Sequence, residues 1–184
     1  MQKKSDLQTL ISVVCPSEWK LFESHCYRLF ENKLSWPAAE VHCQQEKGHL
    51  TSINSNGENN FLYQLKRGSP PWLGINDIHT EGNWVWSDGS PANFENWQTG
   101  EPNNNGNQDC GQMYNGRWDD DKCQELKSFI CKMKGKKQID LCIIIVIEHN
   151  KNMTFSKLAN ICMTDCVQPN QSAHSNSIQG FFEH

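Results

Sequence analysis

The sequence predicts an α+β domain stapled by disulfides, and three observations carry that reading. Two helix-like segments come first, and several short strand-like segments follow. A long stretch of Gly, Asn, Asp, Ser and Pro, from Asp88 to Asn107, interrupts the strands yet holds Phe94 and Trp97. Six of the nine cysteines (Cys15, Cys26, Cys43, Cys110, Cys123, Cys131) fall within the same aromatic, acidic region. No Cys-x2-Cys spacing is present, so disulfides in an oxidising compartment are the better reading than zinc. The destination expected from the cysteines is extracellular, secreted or as the ectodomain of a surface protein.

Each element has a local reason. Residues 1–14 read as a leader or linker, and the domain is expected to span 15–132. Its opening, Trp19 to Phe30, alternates loosely as two short strands would. Ser35-Trp36-Pro37 starts a helix, with Ser35 at the cap and Pro in the first turn. Ala39, His42 and Cys43 recur at helical spacing, and Gly48 stops the run. Ser55-Asn56-Gly57-Glu58 fits a capping box, with Glu58 reaching back. Phe61, Leu62 and Leu65 then mark the buried stripe of a second helix, which ends near Gly68-Ser69-Pro70-Pro71. Trp72-Leu73-Gly74-Ile75, Trp84-Val85-Trp86, Gly111 to Tyr114 and Ser128 to Cys131 read as strands.

The flanks are less regular. Residues 133–184 read as an irregular tail, and Lys132 to Lys137 is a basic run. Leu141 to Ile147 covers far less than the roughly 18–20 residues that span a bilayer. Leu10 to Val14 is too short for a clear signal peptide, and an incomplete N-terminus would account for that. Cys142, Cys162 and Cys166 lie in the tail. The odd total leaves at least one free thiol or intermolecular bridge, so a homo-oligomer stays open. The tail also holds two glycosylation-type triplets, Asn152-Met153-Thr154 and Asn170-Gln171-Ser172.

Charge sharpens the functional reading. From Cys15 to Cys131 there are nine basic and sixteen acidic residues, a net of −7. Nucleic acid is an unsuitable partner for such a surface. Between Asp77 and Asp121 nine acids face one base, Arg117. Carboxylates that dense repel unless a cation sits among them. Acids mixed with side-chain amides suit a hard, oxygen-seeking ion, and calcium is the first candidate. Such an ion would also order the long loop. No His-Glu-x-x-His or Gly-x-Ser-x-Gly is present, and amides interleaved with acids suit holding hydroxyls. An enzyme is not expected.

Taken together, Trp72-Leu73-Gly74-Ile75, Trp86-Ser87-Asp88-Gly89-Ser90, Glu101-Pro102-Asn103 and the core cysteines resemble the C-type lectin-like domain. The resemblance covers roughly Cys15 to Cys131 and is most similar to mannose-type receptors and mannose-binding lectins. It implies two helices, small antiparallel sheets and a long calcium-binding loop. It also implies the disulfides Cys43–Cys131, Cys110–Cys123 and Cys15–Cys26, and a cis Glu101–Pro102 bond. Its principal calcium ligands would be Glu101, Asn103, Gln108, Asp119 and Asp120, with Glu101, Asn103, Gln108 and Asp119 also meeting the sugar. An auxiliary calcium would use Asp77, Glu81, Asn104 and Asp109. The family usually has Glu at Gln108 and Asn at Asp119, so acids and amides are redistributed here. The function implied is calcium-dependent binding of mannose, fucose or N-acetylglucosamine glycans on cell surfaces or microbes. The alternatives are a galactose-type lectin and a calcium-independent protein-recognition module on the same fold.

Overall fold

The structure, a computed structural model, describes residues 11–66 and 68–139. The chain divides into a unit of Val13–Lys137 and a unit made of Met1–Ser12 and Gln138–His184. Most of the second unit lies outside the described residues, including Cys142, Cys162, Cys166, the Leu141 to Ile147 run and both glycosylation triplets.

In chain order the elements are β1 (Ile11–Val14), β2 (Lys20–Phe22), β3 (His25–Leu34), α1 (Trp36–Gln45), β4 (His49–Leu50) and α2 (Asn56–Leu65). There follow β5 (Trp72–Asn76), β6 (Val85–Trp86), β7 (Cys110–Tyr114), β8 (Arg117–Asp121), β9 (Lys127–Lys134) and β10 (Lys136–Ile139). The main sheet runs β2-β3-β9-β5-β7-β8, with β4 added to β9 and β6 to β5. β1 and β10 pair separately. They fall where the sequence suggests a linker and an irregular tail, because four residues are too few to establish a period.

Ser35 does sit at the cap of α1 with a proline behind it, but its side chain makes no capping bond. The helix is instead pinned by Trp36, whose backbone N–H donates to Cys123 O at 2.9 Å and whose indole donates to Leu73 O at 2.7 Å. Gly48 follows because a Cβ there would collide with the Lys132 carbonyl, closing the path of β4 along β9. At α2 the Ser55 hydroxyl accepts the Glu58 N–H at 3.1 Å, as the capping pattern predicts. The Glu58 carboxylate accepts the N–H of Asn54 rather than that of Ser55, and it also meets Lys132 at 2.7 Å. Lys132, the first residue of the basic run, is buried.

The core forms two clusters. One holds Trp36, Leu50, Trp72 and Phe129 under α1; the other holds Ile53, Leu62, Ile75, Trp86, Met113 and Trp118. Trp118 is 1% exposed, and Trp86, Phe94 and Trp97 pack edge-on around it at 5.2–5.7 Å. Backbone bonds from Gln98 to Trp118 O and from Trp118 to Asn96 O, both 2.8 Å, lace the long loop to β8. Aromatic packing and these backbone bonds therefore hold the base of this loop. The three disulfides are Cys15–Cys26, Cys43–Cys131 and Cys110–Cys123, as the resemblance implies. The last closes the β7–β8 hairpin directly beneath the acidic run.

Candidate functional site

The site is built where the long loop meets the last strand of the main sheet. Asp119, Asp120 and Asp121 lie on β8, opposite Gln112, Gly111 and Cys110 of β7. Gly111 lacks a Cβ because one would strike the Ile75 side chain, and this lets β7 press against β5. Asp120 is 1% exposed and stitches the loop to the sheet. Its two carboxylate oxygens accept the backbone N–H groups of Asn103 at 3.0 Å and Asn104 at 2.7 Å. Its backbone oxygen accepts from Gln108 Nε2 at 3.0 Å. The Glu101–Pro102 bond is cis.

This folding gathers three carboxylates. Glu101, Asp119 and Asp120 each place an oxygen within 4.8 Å of the others. Oε2 of Glu101 is buried and accepts no hydrogen bond among the described residues. The remaining two predicted ligands, Asn103 and Gln108, point their side-chain carbonyls at a single donor, the Asn105 N–H, at 2.8 and 2.9 Å. Two acceptors on one N–H lie side by side. Asn103 is tied to Asp120 by its backbone N–H and Gln108 by the Asp120 backbone oxygen, while their side-chain oxygens meet the Asn105 N–H.

Electrostatics follow from the crowding. Burial, then the neighbouring Asp120 and Asp119, pushes the Glu101 carboxyl up to about 7. Asp119 is also raised, by burial and by Asp120, against an opposing hydrogen bond from Gln112. Asp121 behaves differently. Despite burial, it is held below the usual range by Lys127 at 2.7 Å and by the Lys122 N–H. One run of three aspartates thus splits into a loop brace, a member of the acid cluster and an ion-paired residue.

The four auxiliary residues share one neighbourhood. Asp77 N–H donates to Asp109 O at 3.1 Å, and one Asp77 oxygen accepts the Gly82 N–H at 2.8 Å while the other is buried and unpartnered among the described residues. Asp77 is raised by burial, with Asp109 adding to the shift. Glu81 is raised by desolvation, then by Asp77 and Asp109, and Asn104 bonds to it. Asn104 also accepts the Gln108 N–H at 2.7 Å, in the left-handed backbone region at φ 48° that asparagine tolerates. Both are all-oxygen donor sets with an unpartnered buried carboxylate oxygen, a chemistry that suits a hard divalent cation. Among the described residues, however, only Glu101, Asp119 and Asp120 bring three acids within 4.8 Å; Asp77, Glu81 and Asp109 do not.

Sequence reasoning missed Gln112, which lies 5% exposed on β7 and donates to Asp119 at 2.8 Å. Period-two alternation opposite an acidic strand was the available signal. It was hidden because β8 itself reads as a charge run. A cavity of about 250 Å³ near Lys47, Asp88 and Lys132 holds none of the predicted ligands. The site is a loop surface.

The model of the Lectin C-type domain matches residues 32–133. The chain belongs to the C-type lectin family. It is 40% identical over 126 residues to the CD209 antigen of Symphalangus syndactylus, across 66% of this chain and 33% of that relative. The chain therefore spans about a third of that relative's length. Among solved structures it is similar to the cow CD23 carbohydrate-recognition domain obtained with GlcNAc2Man3 oligosaccharide, with TM-score 0.66 and 34% identity, covering 68% of this lectin chain and 99% of that chain. A calcium-independent type II antifreeze protein matches with TM-score 0.66 and 30% identity, covering 68% and 98%. No helix among the described residues is long and apolar enough to cross a membrane.

Proposed function

We propose that the lectin domain, residues 15–132, binds carbohydrate by way of a calcium ion that Glu101, Asn103, Gln108, Asp119 and Asp120 would hold. The observation that carries this reading is the convergence of three carboxylates within 4.8 Å, one with a buried oxygen lacking a partner. Like charges so placed call for a cation. Bound calcium supplies a high coordination number that two vicinal sugar hydroxyls complete. The chain's own residues then sort those hydroxyls. Glu101 and Asp119 accept a hydroxyl proton, and the amides of Asn103 and Gln108 donate to an oxygen lone pair. Gln108 Nε2 gives one amide hydrogen to the Asp120 backbone oxygen at 3.0 Å and lies 3.5 Å from Asp121 Oδ1, a long contact that a ligand oxygen would replace. A second calcium at Asp77, Glu81, Asn104 and Asp109 would brace the loop from behind.

Mannose, fucose or N-acetylglucosamine glycans, on cell surfaces or microbes, are the preferred ligands. Glu101-Pro102-Asn103 supports this, as does similarity to a CD23 domain solved with a mannose-containing oligosaccharide. The exchange at Gln108 and Asp119 makes terminal galactose the alternative. Three disulfides within the domain suit an extracellular location. A glycan array run with calcium and again with chelator is the test. Binding confined to terminal galactose would overturn the mannose preference, and binding indifferent to chelator would overturn the role of calcium.

A second reading has one specific support, the equal TM-score of a calcium-independent relative. It makes the domain a protein- or surface-recognition module without a metal. A thermal midpoint that calcium leaves unmoved would favour it, because a ligand bound only by the native state must raise stability.

A further inference from the structure

We infer that Gln112 is a positioning residue that determines how Asp119 presents its carboxylate to the cation and glycan. This rests on the calcium-lectin reading above. Asp119 stands where the family usually carries asparagine. An asparagine brings its own N–H donor, whereas a carboxylate has none. Here the donor comes from across the hairpin. Gln112 faces Asp119 directly in the β7–β8 register, and its Nε2 donates to Asp119 Oδ2 at 2.8 Å. The same nitrogen reaches Asp121 Oδ2 at 3.4 Å, and that carboxylate is anchored by Lys127 at 2.7 Å.

The orientation of the amide is forced by charge. Turning it over would aim its carbonyl oxygen at two carboxylates, so the nitrogen faces them. Oε1 is then left buried without a partner among the described residues, an imbalance that the charge-assisted bonds must offset. Gln112 is 5% exposed and cannot turn to water. Asp119 Oδ2 is thereby occupied, and the carboxylate has one oxygen that Gln112 does not hold. A sugar hydroxyl beside it must donate, because nothing on Asp119 can donate in return. Gln112 thus takes one acceptor site on Oδ2, holds the carboxylate in one orientation, and leaves Oδ1 as the oxygen freest to meet the cation and a hydroxyl.

The test is a double-mutant cycle of Gln112→Leu and Asp119→Asn in the full chain, read by calcium titration calorimetry and by the ratio of mannose to galactose binding. Q112L should weaken calcium binding about ten-fold or more, the scale of losing a hydrogen bond to a charged group. In the D119N background, where the amide supplies its own donor, the same change should cost under about three-fold and the sugar ratio should stay put. Equal losses in both backgrounds would mean a general packing role and overturn the inference. So would a folded Q112L that binds calcium like wild type. If Q112L does not fold, Gln112→Asn, one methylene too short to reach, takes its place with the same expected outcome. A wild type that binds no calcium overturns the underlying reading and this inference together, whereas an unchanged Q112L beside a calcium-binding wild type overturns this inference alone.

Discussion

Two charged groups in this domain are built on opposite plans. In the interior, Lys132 is 8% exposed and meets Glu58 at 2.7 Å, Ser52 O at 3.2 Å and Ser52 Oγ at 3.1 Å. Glu58 also accepts the Tyr27 hydroxyl at 2.5 Å and the Asn54 N–H at 2.8 Å. Burial and that hydroxyl bond push the Tyr27 phenol upward. Every charge in that network is answered by protein. At the loop, Glu101, Asp119 and Asp120 gather three like charges, and one buried oxygen has no partner among the described residues. The first arrangement holds the fold together. The second weakens it and is suited to an ion that the chain does not supply.

The largest expected effect comes from breaking the satisfied network. Lys132→Met should cost about 3–5 kcal/mol in urea unfolding, because Glu58 is left as a buried charge without its partner. Adding Glu58→Gln should restore much of that loss, since it removes the stranded charge while its amide oxygen still accepts the Tyr27 hydroxyl. Single and double variants of equal stability would show that the pair is not the unit described here. Calcium affinity in the double variant should match wild type.

The opposite operation, completing the unsatisfied cluster, is next in size. At a calcium concentration of 100 times the dissociation constant, stability should rise by about 2.7 kcal/mol over the chelated protein. The midpoint shift between calcium and chelator measures it. Asp120→Asn should abolish most of that shift, because Asp120 both joins the cluster and braces Asn103 and Asn104.

This contrast also explains what could be read from the sequence. α1, α2, β5, β7 and the disulfide pairings follow local patterns or the family resemblance, and they stand as expected. β8 did not, because Asp is depleted in strands and Asp119-Asp120-Asp121 suggests a solvated run. Tertiary context overrides that propensity. Trp118 packs into the core, β8 ends the sheet path, and each aspartate finds a separate role. The buried role of Lys132 has no sequence signal for the complementary reason. A lysine in a basic run is usually exposed, and its partner Glu58 lies 74 positions away on α2. Pairings that distant leave no local trace. The five candidate ligands can be named because their spacing follows the family motif, whereas Gln112 is tied to that candidate site only through sheet register.

The smallest effect separates the two regions by pH. In the calcium-free protein Glu101 titrates at about 7 when folded and near its ordinary 4.5 when unfolded. The folded state therefore holds the proton more tightly. The penalty for its charge is full above about 7 and fades as pH falls toward 4.5, so this group makes the chelated domain more stable on acidification. Asp77, Glu81 and Asp119 are raised as well and act in the same direction. Asp88 and Asp121 are lowered, so their support is lost only below 3.8 and leaves this window untouched. His25 opposes: burial, then Lys132, lowers it from 6.5, so acidification below that value favours unfolding. Glu101→Gln isolates the effect, since the variant keeps His25 and loses only the titrating acid. Between pH 7.5 and 5 the chelated wild type should gain about 1 kcal/mol on E101Q, a figure already reduced for solvent screening at a loop surface. With calcium bound the sign reverses for wild type, because protons compete with the ion for the same oxygens. Parallel curves for the two chelated proteins would show that the loop carboxylates do not repel one another as their spacing requires. Curves that converge on acidification from opposite sides, wild type rising to meet E101Q in chelator and falling to meet it in calcium, would place the strain at the cluster.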